Sequence, residues 1–320
     1  MIKPFRLSPV FKDYIWGGSK LKSAYFKDTP FNKTAESWEL STHKDGQSIV
    51  ASGADKGKTL SAYIAEHGED ILGANAKKFD YFPILIKFID AKDNLSIQVH
   101  PDDAYALKNE GEYGKTEMWY ILEAEEGASL YYGFNREITR EEYQQKIEDN
   151  TILDVLNKVA VEKGDVFFIK SGTVHAIGKG IVICEIQQNS NTTYRVYDYD
   201  RRDAQGNPRQ LHVAKALEVS TLGLADTENG SKPETNCGGY TDKVLSSCNY
   251  FTVHRLKIQS SAALRTDTTS FRSLIITEGD AVLTMGETIL SVTKGDSIFL
   301  PAQDADYTIE GTCEVILSYV

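Results

Sequence analysis

The chain has 320 residues, 41% of them hydrophobic and 25% charged, with 35 Lys and Arg against 46 Asp and Glu for a net charge of −11. These proportions describe a globular protein and exclude a disordered, collagenous or coiled-coil chain. So acidic a surface repels phosphate backbones and anionic lipid, which excludes nucleic acid and membrane surfaces as partners. An anionic small molecule would have to be held by a few local cations.

The opening Met1-Ile2-Lys3-Pro4-Phe5-Arg6 has no apolar core of a secretory signal. The apolar stretches Phe82–Ile86 and Gly180–Cys184 are far shorter than the ~20 residues of a membrane helix. Cys184, Cys237, Cys248 and Cys313 show no C-x-x-C spacing and read as thiols, which predicts a cytoplasmic protein. Helical periodicity is predicted over Thr59–His67. Ser96–His100 alternates as a strand, and Pro101-Asp102-Asp103 then opens a helix to Asn109, with Pro101 placed in its first turn. Lys115–Leu122 reads as a strand, Arg136–Leu156 as an amphipathic helix, Asp165–Ile169 as a strand and Leu211–Leu217 as a helix. The polar run Asp226–Asn236 is a linker. The chain is therefore mainly β, with a helical minority.

A faint repeat supports two β-barrels. Glu126-Gly127 precedes Lys163-Gly164-Asp165 and a strand, just as Glu278-Gly279 precedes Lys294-Gly295-Asp296 and a strand. Gly127 to Gly164 spans 37 positions and Gly279 to Gly295 spans 16, so the first copy carries 21 extra residues, the length of Arg136–Leu156. One barrel thus looks like the other with a helix inserted on a hairpin, where insertions cost little.

Chemistry concentrates in the first copy. Period-2 geometry puts Gln98 and His100 on one strand face, and Lys115 and Glu117 on another. His175 follows the Gly-Asp strand of the repeat. Gln98, His100, Glu117 and His175 on neighbouring strands supply the N and O ligands that a borderline divalent ion such as Zn²⁺ accepts. Aligning the repeats on their glycines puts Asp306 opposite His175 and Thr269 opposite Glu117. The second barrel keeps the frame without the ligands, so folding alone does not require them.

The strings Ser96-Ile97-Gln98-Val99-His100-Pro101-Asp102, Lys115-Thr116-Glu117-Met118-Trp119-Tyr120 and Ser171-Gly172-Thr173-Val174-His175-Ala176 resemble type I mannose-6-phosphate isomerases of the short bacterial form. Trp16-Gly17-Gly18, Glu36-Ser37-Trp38-Glu39-Leu40-Ser41 and Tyr194-Arg195-Val196-Tyr197-Asp198 add to the likeness, which spans roughly residues 14 to 202. The resemblance implies a bicupin, a pair of Greek-key or jelly-roll β-barrels with helical insertions. It implies one zinc per chain on Gln98, His100, Glu117 and His175, and Arg195 in the active site. Residues 1–225 would form the metal-binding cupin with its N-terminal segment and helical insertions, 226–239 the linker, and 240–320 a degenerate metal-free cupin. Some longer relatives have lysine where this chain has Asp103, and a Gly-Leu-Thr-Pro-Lys stretch where it has Val196–Asp200, so phosphate contacts from those lysines do not carry over.

The implied reaction interconverts mannose 6-phosphate and fructose 6-phosphate through an enediolate, with zinc as Lewis acid. Lys115 is the candidate base, although a solvated surface lysine reads equally well from the residues alone. Arg195 is a fixed donor to developing charge or to phosphate. Lys87, Lys115, Arg195 and Arg201 or Arg202 are the available phosphate clamp, and Trp16 is a candidate sugar contact. A non-catalytic sugar-binding bicupin and another metal-dependent cupin enzyme are the alternatives.

Overall fold

The computed structural model describes residues 2–202 and 205–320. The chain forms a mainly β protein, divided into two compact units: Met1–Asp13, Ser19–Phe88 and Glu228–Val320 make one, and Tyr14–Gly18 with Ile89–Thr227 the other.

In the first unit a ten-stranded sheet runs from Thr235–Asn236 through Tyr240–Ser247, Thr252–Ile258, Ala305–Tyr319, Arg272–Met285, Ser297–Leu300 and Phe5–Ser8 to Ile49–Val50. Alternation makes its inner face. Leu256, Ile258, Leu274, Ile276, Leu283, Ile309, Val315 and Leu317 pack into one apolar cluster, with Lys257, Asp306 and Glu310 turned outward. The hairpin from Arg272–Met285 to Thr288–Thr293 turns through Gly286 at φ 58°, the conformation a two-residue loop asks of its first residue. Phe5–Ser8 pairs antiparallel with both Ser297–Leu300 and Ile49–Val50, so the first strand of the sequence closes the sheet built from its last hundred residues.

In the second unit a five-stranded antiparallel sheet has the order Leu156–Ala160, Ser129–Phe134, His175–Ala176, Ile97–Val99, Tyr194–Tyr197. A second set places Glu117–Ala124 between Val166–Ile169 and Ile181–Gln188. The hairpin of Ser129–Phe134 and Leu156–Ala160 carries the insertion that the repeat arithmetic demanded. Its helix is shorter than the amphipathic run. It covers Arg140–Glu148, because Thr139 accepts the Glu142 N–H at 3.1 Å as a cap, Asn150 turns left-handed at φ 57°, and Leu156 already belongs to the next strand. Tyr143 and Ile147 face inward onto Phe134, Ile97 and Val99.

The helix after His100 covers Asp103–Asn109, and Pro101 lies ahead of it, not in its first turn. The cap is Asp102, whose carboxylate accepts the Tyr105 N–H at 2.8 Å. The other described α-helices are Lys20–Ser23, Leu60–His67, capped by Thr59, and Val213–Val219. No described helix is long and apolar enough to cross a membrane.

Candidate metal centre and active site

Register builds the site. Gln98 lies directly across from His175 on one side and Arg195 on the other, and directly opposed residues of antiparallel strands share a face. A row therefore runs His175, Gln98, Arg195 along one sheet. Glu117 belongs to the other strand set, paired with Ile169 and Gln187. Its carboxylate meets that row: Oε1 is 3.4 Å from His175 Nε2 and Oε2 is 3.7 Å from His100 Nε2. The Gln98 side-chain amide lies 3.4 Å from His175 Nε2. His100, Glu117 and His175 each bring one ligand atom within 4.8 Å of the others, all three being buried, and this cluster could hold a metal ion.

The tautomers suit that use. His175 Nδ1 faces the Thr173 carbonyl at 2.8 Å and His100 Nδ1 faces the Thr192 carbonyl at 2.9 Å, so each donates its Nδ1–H outward and presents the Nε2 lone pair inward. Burial, reinforced by the charge of Lys115, pushes the His175 imidazole down to about 4 against the opposing effects of Thr173 and Glu185. It is neutral at physiological pH, the form that binds a metal. The edge of Trp119 packs on the His175 ring with centroids 5.3 Å apart, and the Trp119 indole donates to Glu185 at 3.0 Å.

Lys115 enters the centre itself. Its ammonium is 2.8 Å from Glu117 Oε2 and 3.2 Å from His100 Nε2, and it is 5% exposed, which removes the surface-lysine alternative. The backbone around it is pinned. Lys115 N donates to Pro101 O at 3.0 Å, Gly114 N to Asp103 Oδ1 at 2.8 Å, and Thr116 N to Gln188 Oε1 at 2.8 Å, while Gln188 Nε2 donates to the same Asp103 oxygen. Asp103 thus serves the backbone beside the site. Arg195 is held by Ser96 Oγ at Nε (3.2 Å) and Gln210 O at Nη1 (2.9 Å), with its own N–H on His212 Nδ1.

The other two predicted contacts have described partners of their own. Trp16 is buried in the same unit, its ring 5.7 Å from Tyr14, and no described contact joins it to the cluster. Lys87 belongs to the other unit, 3.7 Å from Glu36 and over the Trp38 ring. Sequence reasoning missed Glu185, although one carboxylate inside the apolar run Ile181–Ile186 is itself a signal. It missed Ser96 too, which period 2 places on the face of Gln98. The Thr173 and Thr192 carbonyls, being backbone, carry no residue signature. A second acidic and histidine group, Asp55, Glu66 and His67, is more exposed and already holds the Lys58 ammonium.

Comparison with known proteins bears on this geometry. The family described as phosphomannose isomerase type I, catalytic domain, matches residues 4–132, and the mannose-6-phosphate isomerase cupin domain matches residues 241–320. A mannose-6-phosphate isomerase of Streptococcus mutans is 40% identical over 319 residues, covering 100% of this chain and 99% of that protein. A putative mannose-6-phosphate isomerase of Bacillus subtilis is 41% identical over 318 residues, 99% of each chain. The crystal structure of a mannose 6-phosphate isomerase from Bacillus subtilis superposes with a TM-score of 0.93 at 39% identity, covering 100% of both chains.

Proposed function

The chain belongs to the type I phosphomannose isomerase family, and from that membership we propose that it interconverts mannose 6-phosphate and fructose 6-phosphate with one bound zinc ion. The observation that carries the reading is the buried His100–Glu117–His175 cluster, two of whose members belong to a strand row ending in Arg195 or neighbour it directly.

The donor set fits the metal. Two imidazoles with inward Nε2 atoms, one carboxylate and one amide suit a borderline ion, and zinc brings no redox chemistry of its own. When bound, it would supply Lewis acidity toward a sugar oxygen. The chain's residues do the remainder. Thr173 and Thr192 fix the imidazoles by accepting their Nδ1 protons. Lys115 Nζ is the group we assign to the proton that moves between C2 and C1, taking it as the amine and returning it as the ammonium, because it is the lysine nitrogen inside the cluster and its backbone is fixed on both sides. Arg195, its fork oriented by Ser96 and Gln210, is the donor to charge developing on the enediolate. Burial beside Trp119 keeps water from His100, Lys115, Glu117 and His175. Lys87 as a cation and Trp16 as an aromatic surface stay as proposed sugar-phosphate contacts from the sequence, and the sparse cysteines support a cytoplasmic location.

A coupled assay across hexose and pentose phosphates, with free sugars beside them, tests the assignment on zinc-loaded protein. Turnover of mannose 6-phosphate is expected, and none would end the reading.

A further inference from the structure

Beyond the cluster the Arg195 strand runs into a turn that no reaction step explains. Tyr199 and Asp200 both adopt the left-handed region, at φ 57° and 51°, and Arg201 N donates to Asp198 O at 3.0 Å. Such a turn favours glycine or asparagine, and a tyrosine here is strained. Strain of this kind collects where a geometry serves function. What the turn achieves is to fold Arg201 back onto Asp198. Arg201 donates to Asp198 Oδ1 through Nε at 3.2 Å and also through Nη2, and its Nη1 bonds Asn94 O at 2.6 Å. Arg209 approaches the same carboxylate from further along the chain, Nε on Oδ2 at 2.7 Å and Nη2 on Oδ1 at 2.5 Å. Asp198 is 6% exposed.

One carboxylate therefore anchors two guanidiniums, with Arg195 as a third close by: burial, then the charges of Arg209 and Arg201, push Arg195 below its ordinary value. Three cations and one anion leave a local charge of +2 in a chain whose net charge is −11. A structural ion pair needs one arginine; the surplus charge calls for another anion. Donors are left to receive it, since among the described residues Arg195 Nη2 and Arg209 Nη1 carry no hydrogen bond. A phosphate monoester, with three acceptor oxygens and nearly two negative charges at neutral pH, matches paired planar forks.

We propose that Arg209, clamped beside Arg201 by the buried Asp198 carboxylate next to Arg195, forms the subsite for the phosphate of the sugar substrate. The proposal rests on the isomerase reading and explains how this chain takes an anion without the lysines of some longer relatives. Asp198 and Arg201 are positioning residues, and Arg209 makes the contact through Nη1.

Inorganic phosphate is the probe that separates the two readings. It should raise the Tm of the wild-type protein and inhibit competitively, both effects weakening with salt. In Arg209→Gln the thermal shift should vanish and KM for mannose 6-phosphate rise by about tenfold or more, with affinity for free mannose falling far less. Arg209→Lys, which keeps the charge and a bond to Asp198, should fall between. If mannose 6-phosphate is not turned over but phosphate stabilises wild type and not Arg209→Gln, the isomerase reading fails and the subsite stands. If it is turned over with KM within about twofold of wild type in Arg209→Gln and Arg209→Lys, the subsite is wrong. A wild-type protein that phosphate neither stabilises nor inhibits overturns it without any variant.

Discussion

Two nitrogens on each imidazole decide whether three polar side chains are a site or an accident. Because Nδ1 of His100 and His175 is committed to a backbone carbonyl, Nε2 has only the interior to face. His175→Ala should then cut bound zinc, measured by elemental analysis, to a small fraction of one equivalent, while circular dichroism keeps its β signal, since a core this large does not depend on a metal to fold. Lys115 and Arg195 separate by kinetics. Lys115→Met should lower kcat about a hundredfold or more with metal content retained, and deuterium uptake from heavy water at C1 or C2 should fall with it. Persistent uptake at the wild-type rate would assign the proton to another group. Arg195→Lys keeps a charge but loses the planar fork, so kcat/KM should drop by about tenfold or more. For Asp198, burial raises the carboxyl, but the hydrogen bonds and charges of Arg209 and Arg201 outweigh it and hold the group below its ordinary 3.8. The stability it contributes is therefore complete at neutral pH and lost only as pH falls below about 3.8 through the folded value. Acid titration of Asp198→Asn should lack that last increment.

At the scale of elements, the segment between the Asp103–Asn109 helix and the Glu117–Ala124 strand decides where Lys115 points. Gly114 has no room for a side chain: a Cβ would come within 2.4 Å of Asp102 C and 2.5 Å of Asp103 N, both backbone. Gly114→Ala should push the helix off this segment, costing ~1–3 kcal/mol by chemical denaturation and displacing Lys115 enough to lower kcat. Loss of stability without loss of kcat would show that Lys115 is placed by its own ion pair alone. These contacts also show why helix ends are harder to read than helices. Thr59, Asp102 and Thr139 are visible in the sequence as capping residues, yet only hydrogen bonds to Ala62, Tyr105 and Glu142 identify them as the caps.

For the whole molecule, the observation of most consequence is that Phe5–Ser8 completes a sheet of C-terminal strands. A boundary near 226–239 is our proposal for the sequence division; the compact units change between Thr227 and Glu228, and the unit of Glu228–Val320 also takes in Met1–Asp13 and Ser19–Phe88. But a fragment of residues 226–320 would expose the Ser297–Leu300 edge and the apolar side chains that Phe5 and Leu7 cover. It should aggregate or unfold non-cooperatively, whereas coexpression with residues 1–88 should rescue it; cooperative folding of the fragment alone would contradict this. In the same unit the buried Lys27–Glu39 pair, 2.7 Å apart, joins the loop at Lys27 to the Glu36–Leu40 strand, with Ser37 and Gly295 O completing its bonds. Lys27→Met alone strands a buried carboxylate and should cost ~3–5 kcal/mol, while Lys27→Met with Glu39→Leu should recover much of it.

The composition, the two Glu-Gly and Lys-Gly-Asp repeats and the i, i+2 spacing of Gln98 with His100 and Lys115 with Glu117 were enough to point to a mainly β, double-barrel protein and the four candidate metal residues, because strand alternation is a local property and fixes which side chains share a face. They also located the helical insertion, since an excess of 21 residues between matched glycines needs no coordinates. Three things were decided only in tertiary structure. Lys115 could be a candidate base or a solvated surface lysine until burial against Glu117 and His100 excluded the solvated reading. Asp103 became a backbone anchor through Gly114 and Gln188, which lie 11 and 85 positions away. Asp198 and Arg209, 11 positions apart across an irregular loop, meet only because a strained turn and a shared carboxylate bring them there. Periodicity reports what a residue does within its own strand, and these contacts depend on where separate segments of the chain come to rest against one another.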